Sequence, residues 1–125
     1  MVKSSGGFTY LDIGKGKPII LLHGLMGGVE NFGDMVDFIS HNYRVYGLDL
    51  KLFETPYLKC SVKNKAEYLL KFMDHLKIEK ATLLGNSMGG HIGLIFTKLY
   101  PKRVESLILT GSSGLYESAF GNTFP

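Results

Sequence analysis

The sequence predicts an α/β fold, a mostly parallel sheet with helices on both faces. Short apolar runs alternate with segments of about ten residues or more that repeat apolar positions at spacings of three and four. The run Ile19 to Leu22 is continuous rather than alternating, as a strand buried on both faces is. Glycine accounts for 16 of 125 residues, about 13% against a usual value near 7%, and it gathers just after the apolar runs.

Taken in order, Phe8 to Ile13 alternates and Gly14-Lys15-Gly16-Lys17-Pro18 carries turn chemistry, so the start reads as a strand or small hairpin. After Ile19-Ile20-Leu21-Leu22 comes the glycine loop His23-Gly24-Leu25-Met26-Gly27-Gly28. A helix is predicted from Asn31 to Ser40, with Phe32, Met35, Val36 and Ile39 on one face. Arg44 to Leu48 is a second buried strand, closed by Asp49, and Lys51 to Cys60 is loop. Ser61 is placed to cap a long helix ending near Leu76, whose stripe is Val62, Ala66, Leu69, Leu70, Met73 and Leu76. Ala81 to Gly85 is a third strand, Met88 to Tyr100 a helix stopped by Pro101, and Val104 to Thr110 a fourth strand. Strands that alternate with helices in this way form βαβ units, and their chemistry gathers beyond the carboxyl ends of the strands. The loops at 24–28, 49–56, 86–90 and 111–114 all fall at that end.

Composition narrows the function classes. The formal charge is +3 and the basic residues are scattered, with no block that would track a nucleic acid backbone. No apolar stretch approaches the ~18–20 residues that span a bilayer, and Met1 to Gly7 lacks the apolar core of a signal peptide. The single cysteine, Cys60, forms no internal disulfide and belongs to no metal-type Cys/His spacing, which points to a reducing cytoplasm.

The chemistry-bearing motif is Gly85-Asn86-Ser87-Met88-Gly89, a G-x-S-x-G. The bare pattern would arise by chance about one time in seven at this composition, so its setting carries the weight. It stands between the apolar run Ala81-Thr82-Leu83-Leu84 and a helix opening Met88-Gly89-Gly90. Glycines two before and two after the serine permit a sharp strand-to-helix turn. The turn would hold Ser87 in a strained conformation at a helix N-terminus, where the dipole and free N–H groups favour developing negative charge. The plainer reading of Ser87 is a helix cap in a tight βα turn.

Leu21-Leu22-His23-Gly24-Leu25, Gly85-Asn86-Ser87-Met88-Gly89-Gly90, and Tyr100-Pro101 followed by Val104 to Thr110 together resemble the α/β-hydrolase fold family, from about residue 6 to 118. Within it, the elbow wording and Gly111-Ser112-Ser113-Gly114 are most similar to carbon–carbon bond hydrolases of ring-cleavage products, with esterases next. The resemblance implies a serine hydrolase acting on a small-molecule ester or activated carbonyl, with Ser87 as nucleophile. It implies an oxyanion hole formed by the backbone N–H groups of Leu25 and Met88, each such donor worth about 2.7–4 kcal/mol in the transition state. His23, Gly24, Gly85 and Gly89 would support the turns, with His23 bonding neighbouring backbone. No cofactor or metal is implied, since serine, histidine and acid carry the proton transfer. One departure stands out: where the family often has a glycine-rich turn after the aspartate, this chain reads Asp49-Leu50-Lys51-Leu52-Phe53-Glu54-Thr55-Pro56.

A serine nucleophile also needs a base, and family order places acid and histidine after the serine. Glu105, Glu117 and His91 follow Ser87, and none fits. Glu105 opens a strand at its amino end, Glu117 lies in the final loop, and His91 sits one turn along the elbow helix. His41 and His75 precede strands and are expected at the opposite edge. The expectation is therefore that residues 1–125 form the N-terminal part of one α/β-hydrolase domain, without lid and C-terminal catalytic part. Val104 to Thr110 would then be an open apolar edge through which two copies pair. Two other readings remain. A non-catalytic α/β-hydrolase-like binding protein would explain the missing base. A Rossmann-like nucleotide-binding module would use Asp49 against a ribose, but the chain has neither G-x-G-x-x-G nor a P-loop.

Overall fold

A computed structural model of the chain describes residues 2–23, 33–51 and 61–111. The elements run β1 (Val2–Ser5), β2 (Phe8–Ile13), β3 (Lys17–Leu22), α1 (Gly33–Ile39), β4 (Tyr43–Leu48), α2 (Val62–His75), β5 (Ala81–Asn86), α3 (Met88–Leu99), a single 3₁₀ turn (Pro101–Arg103) and β6 (Val104–Thr110). All six strands join one sheet in the order β1-β2-β4-β3-β5-β6. The last four are parallel; β1 and β2 form an antiparallel hairpin whose second strand lies antiparallel to β4.

The start is a hairpin with Phe8–Ile13 as its second strand, in line with the expectation, and the chain also turns between β2 and β3. The chain reverses at Gly6-Gly7, while residues 14–16 lead into a strand that does not pair with β2, because β4 lies between them. Turn chemistry marks where the chain bends, but the strand inserted at that bend is a tertiary matter.

The inner strands β3, β4 and β5 are buried on both faces. α2 and α3 pack on one, where Phe72 of α2 meets the rings of Phe8, Tyr10 and Tyr46 at 5.4, 5.1 and 6.2 Å, and Ile20, Leu22, Leu83, Ile92 and Phe96 complete the layer. Phe72 is fully buried although it falls outside the predicted stripe, because α2 also faces the hairpin and so needs a wider apolar arc than one sheet would require. α1 covers the other face with Val36 over Ile19, Leu21, Val45 and Leu84. Met35 does not join that face as predicted; it is 42% exposed, since Val36 and Ile39 face the sheet and Met35 stands about 100° round the helix from Val36. Asn31 and Phe32 lie outside the described residues.

Ser61 caps α2 as predicted, its Oγ accepting the N–H of Asn64 at 3.1 Å. Where β2 ends and β4 begins, Asp12 is buried and accepts Arg44 Nε and Nη2 at 3.0 and 2.9 Å and Lys3 Nζ at 2.8 Å. The Arg44 bonds hold its carboxyl down to about 2 despite burial, with Lys3 adding to the effect. Among the described residues β6 is an edge strand, and Ile108 on it is 46% exposed. No helix among the described residues is long and apolar enough to cross a membrane.

Candidate active site

The sheet order reverses at β3: β4 lies on one side of it and β5 on the other. Leu22 aligns with Leu48 of β4 and with Gly85 of β5, so the carboxyl ends of three neighbouring strands are level. A doubly wound sheet opens its crevice at such a point. The residues that follow are His23, Asp49 and Asn86-Ser87.

Ser87 has φ 56° and ψ −121°, a backbone conformation that side-chain-bearing residues rarely adopt. Its neighbours impose it. A Cβ on Gly85 would stand 2.5 Å from the Gly90 Cα, and one on Gly89 would run into the carbonyl oxygen of Leu22. Helix α3 is thereby seated directly on the end of β3. The serine does not cap the helix with its side chain; its carbonyl instead accepts Gly90 N–H at 3.0 Å and His91 N–H at 3.2 Å. Met88 and Gly89, the first residues of α3, have N–H groups with no partner within the helix, and these stand beside Ser87 at the positive end of the helix dipole.

From the far side the elbow is tied to β6. The N–H of Ser87 donates to the carbonyl of Thr110 at 3.1 Å, and the Thr110 hydroxyl lies 3.4 Å from the Gly85 carbonyl and 3.2 Å from Asn86 Oδ1.

His23 is buried, 3% exposed, and its Nε2 accepts the N–H of Leu50 at 3.0 Å. The ring thus bonds backbone, as expected of it, and the backbone belongs to the chain leaving β4. Asp49 Oδ1 lies 3.8 Å from the same nitrogen and accepts Lys51 N–H at 2.9 Å. Lys51 adopts the left-handed conformation, φ 53°, so this corner turns without the family's glycine, held by the Asp49 side chain. Lys65 is buried at the start of α2, its Nζ 3.5 Å from the Lys51 carbonyl and 5.4 Å from the centre of the Tyr68 ring. Nothing in the sequence marks Lys65, because a buried lysine at a helix start has no distinguishing spacing.

The other histidines serve elsewhere. His41 bonds the Asp37 carbonyl through Nδ1 at 2.8 Å. His75 bonds Ser5 Oγ at 2.8 Å and lies against Phe8 and Gly6, so α2 carries it to the hairpin turn. The expectation that it sits at the edge opposite the loops is corrected: that turn lies beside the carboxyl end of β4, where Asp49 N–H bonds the Thr9 carbonyl. His91 is partly buried in α3, and Glu105 stands near the amino end of β6 as expected. Gly24, Leu25, Glu54, Cys60, Ser112 to Gly114 and Glu117 lie outside the described residues. Among the described residues no three His, Cys, Asp or Glu side chains cluster as metal ligands would.

Residues 17–124 match the model of the alpha/beta hydrolase fold family. The chain is 34% identical over 113 residues to 2-hydroxy-6-oxo-6-(2'-aminophenyl)hexa-2,4-dienoic acid hydrolase of Metapseudomonas resinovorans, covering 85% of this chain and 39% of that protein. It is 31% identical over 106 residues to a putative esterase/lipase of Haemophilus influenzae, covering 83% and 37%. Among solved structures, an alpha/beta hydrolase enzyme from the metagenome of lagoon sediments at Mar Chica, Morocco, superposes with a TM-score of 0.87 at 46% identity, covering 97% of this chain and 56% of that one. The chain therefore spans from about two fifths to just over half of the length of these relatives.

Proposed function

Since the chain belongs to the alpha/beta hydrolase fold family, we propose that Ser87 is the nucleophile of a serine hydrolase that cleaves a small ester or an activated carbonyl or carbon–carbon substrate. The observation that carries this reading is the positive φ of Ser87 at the level of the strand ends. A cap would need no such strain, whereas a nucleophile must be pushed clear of its own strand and helix.

In this reading Ser87 Oγ attacks the substrate carbonyl and forms an acyl-type intermediate that water then releases. The Met88 N–H receives the developing oxyanion, and the Leu25 N–H is the second donor. His23, bonded to Leu50, steadies the start of the Leu25 loop and does not carry the proton. None of the four histidines is assigned as the base in this reading: His23 bonds Leu50, His41 bonds Asp37, His75 bonds Ser5 and His91 lies within α3. Carbon–carbon bond cleavage is supported by that relative and by 2-hydroxy-6-oxo-2,4-heptadienoate hydrolase of Pseudomonas putida, 32% identical over 123 residues.

The test is covalent labelling of the intact protein with a fluorophosphonate probe, in wild type and Ser87→Ala. Labelling is expected in the first and absent in the second. Equal labelling removes Ser87 as the nucleophile, and none in either leaves the non-catalytic binding reading in its place.

A further inference from the structure

We infer that Thr110 is a positioning residue for the nucleophile elbow, its hydroxyl holding the backbone that leads into Ser87; this rests on the proposed role of Ser87. Strain of the kind seen at Ser87 survives only where the surroundings over-determine it. On the inner side that constraint is glycine packing, with Gly89 against Leu22 and Gly85 against Gly90. On the outer side everything described converges on one residue. Thr110 stands opposite Asn86 in register, and its carbonyl accepts the Ser87 N–H at 3.1 Å. Its hydroxyl is shared between the carbonyl of Gly85 and the side chain of Asn86, at 3.4 and 3.2 Å.

The three residues before the helix are thus each held by Thr110: Gly85 by its carbonyl, Asn86 by its side chain and Ser87 by its N–H. The next residue, Gly111, has φ 58° and follows the end of the strand. Thr110 is also the last residue of β6, the edge strand among the described residues, where backbone pairing is supported from one side only. The main-chain bond alone would rotate with a fraying strand end. The hydroxyl, sharing its one proton between Gly85 and Asn86, restrains the end of β6 and with it the Thr110 carbonyl that accepts the Ser87 N–H. This role is distinct from substrate contact, because the hydroxyl is directed at the elbow's own chain.

The experiment compares Thr110→Val, which keeps the shape and β-branching but removes the hydroxyl, with Thr110→Ser, which keeps it. Rates of fluorophosphonate labelling are measured in the intact protein against probe concentration, alongside melting temperature. The maximal labelling rate of Thr110→Val should fall by roughly ten- to a hundredfold, as for a misaligned reacting group. The half-saturating probe concentration should stay unchanged and Thr110→Ser should recover the rate. Wild-type rates in Thr110→Val would overturn the inference. So would equal losses in both variants that track their melting temperatures, since that is a fold effect alone. Labelling that persists in Ser87→Ala would instead remove the underlying reading.

Discussion

The Nε2 of His23 accepts the backbone N–H of Leu50 at 3.0 Å, which fastens the chain leaving β3 to the chain leaving β4. Both residues are buried, so the Leu50 N–H has no water to turn to if the ring is removed. His23→Leu should cost about 1–3 kcal/mol, the usual penalty for a buried donor left unpaired. Chemical denaturation reads this directly, and an unchanged midpoint would mean that the bond contributes nothing.

Two glycines of α3 should answer oppositely to alanine. At Gly89 the new methyl meets the backbone carbonyl of Leu22, which cannot swing aside without moving β3. Gly89→Ala is expected to destabilise by about 1–3 kcal/mol and to disturb the elbow. At Gly93 the obstacle, at 2.9 Å, is the Leu107 Cδ1 methyl at the end of a flexible side chain. There the helix preference of alanine, about 1 kcal/mol, offsets the adjustment, and stability should hold or rise. Thermal melts of the two variants decide it; equal losses would contradict this reading of α3.

Ser87 in its positive-φ conformation should be a site where function costs stability. Strain there is worth about 1–3 kcal/mol, and glycine relieves it at the expense of its own greater unfolded-state freedom. Ser87→Gly is expected to gain about 1 kcal/mol while losing all fluorophosphonate labelling. A destabilised Ser87→Gly would show that the observed φ carries no strain.

Acid stability should report on Asp12. Its carboxyl titrates near 2 when folded against 3.8 ordinarily, so the folded state holds the proton less readily than the unfolded one. The contribution is fully present above the ordinary value and is lost as pH falls toward the folded one. The difference corresponds to about 2 kcal/mol at neutral pH. Asp12→Asn should lower stability near pH 7 by that order and flatten its fall between pH 4 and 2. A parallel pH profile in wild type and variant would sink this account.

The last four strands, the three helices and the Ser61 cap were legible in the sequence, because each follows from local periodicity and from the residues that start and stop an element. Gly85, Ser87 and Gly89 were legible for the same reason: a strand, a sharp turn and a helix lie within ten residues. Tertiary structure alone decided what those residues touch. That Gly89 is pressed to Leu22 and that His23 bonds Leu50 depends on β3 lying between β4 and β5, and that Thr110 meets Gly85, Asn86 and Ser87 depends on β6 pairing with β5. The fully buried place of Phe72 came likewise from the hairpin folded back beneath α2, and Lys51 made a corner where glycine is usual because the Asp49 side chain caps it. Periodicity reports which face of an element is apolar. Strand order, set by packing between segments far apart in the chain, determines which residues become neighbours.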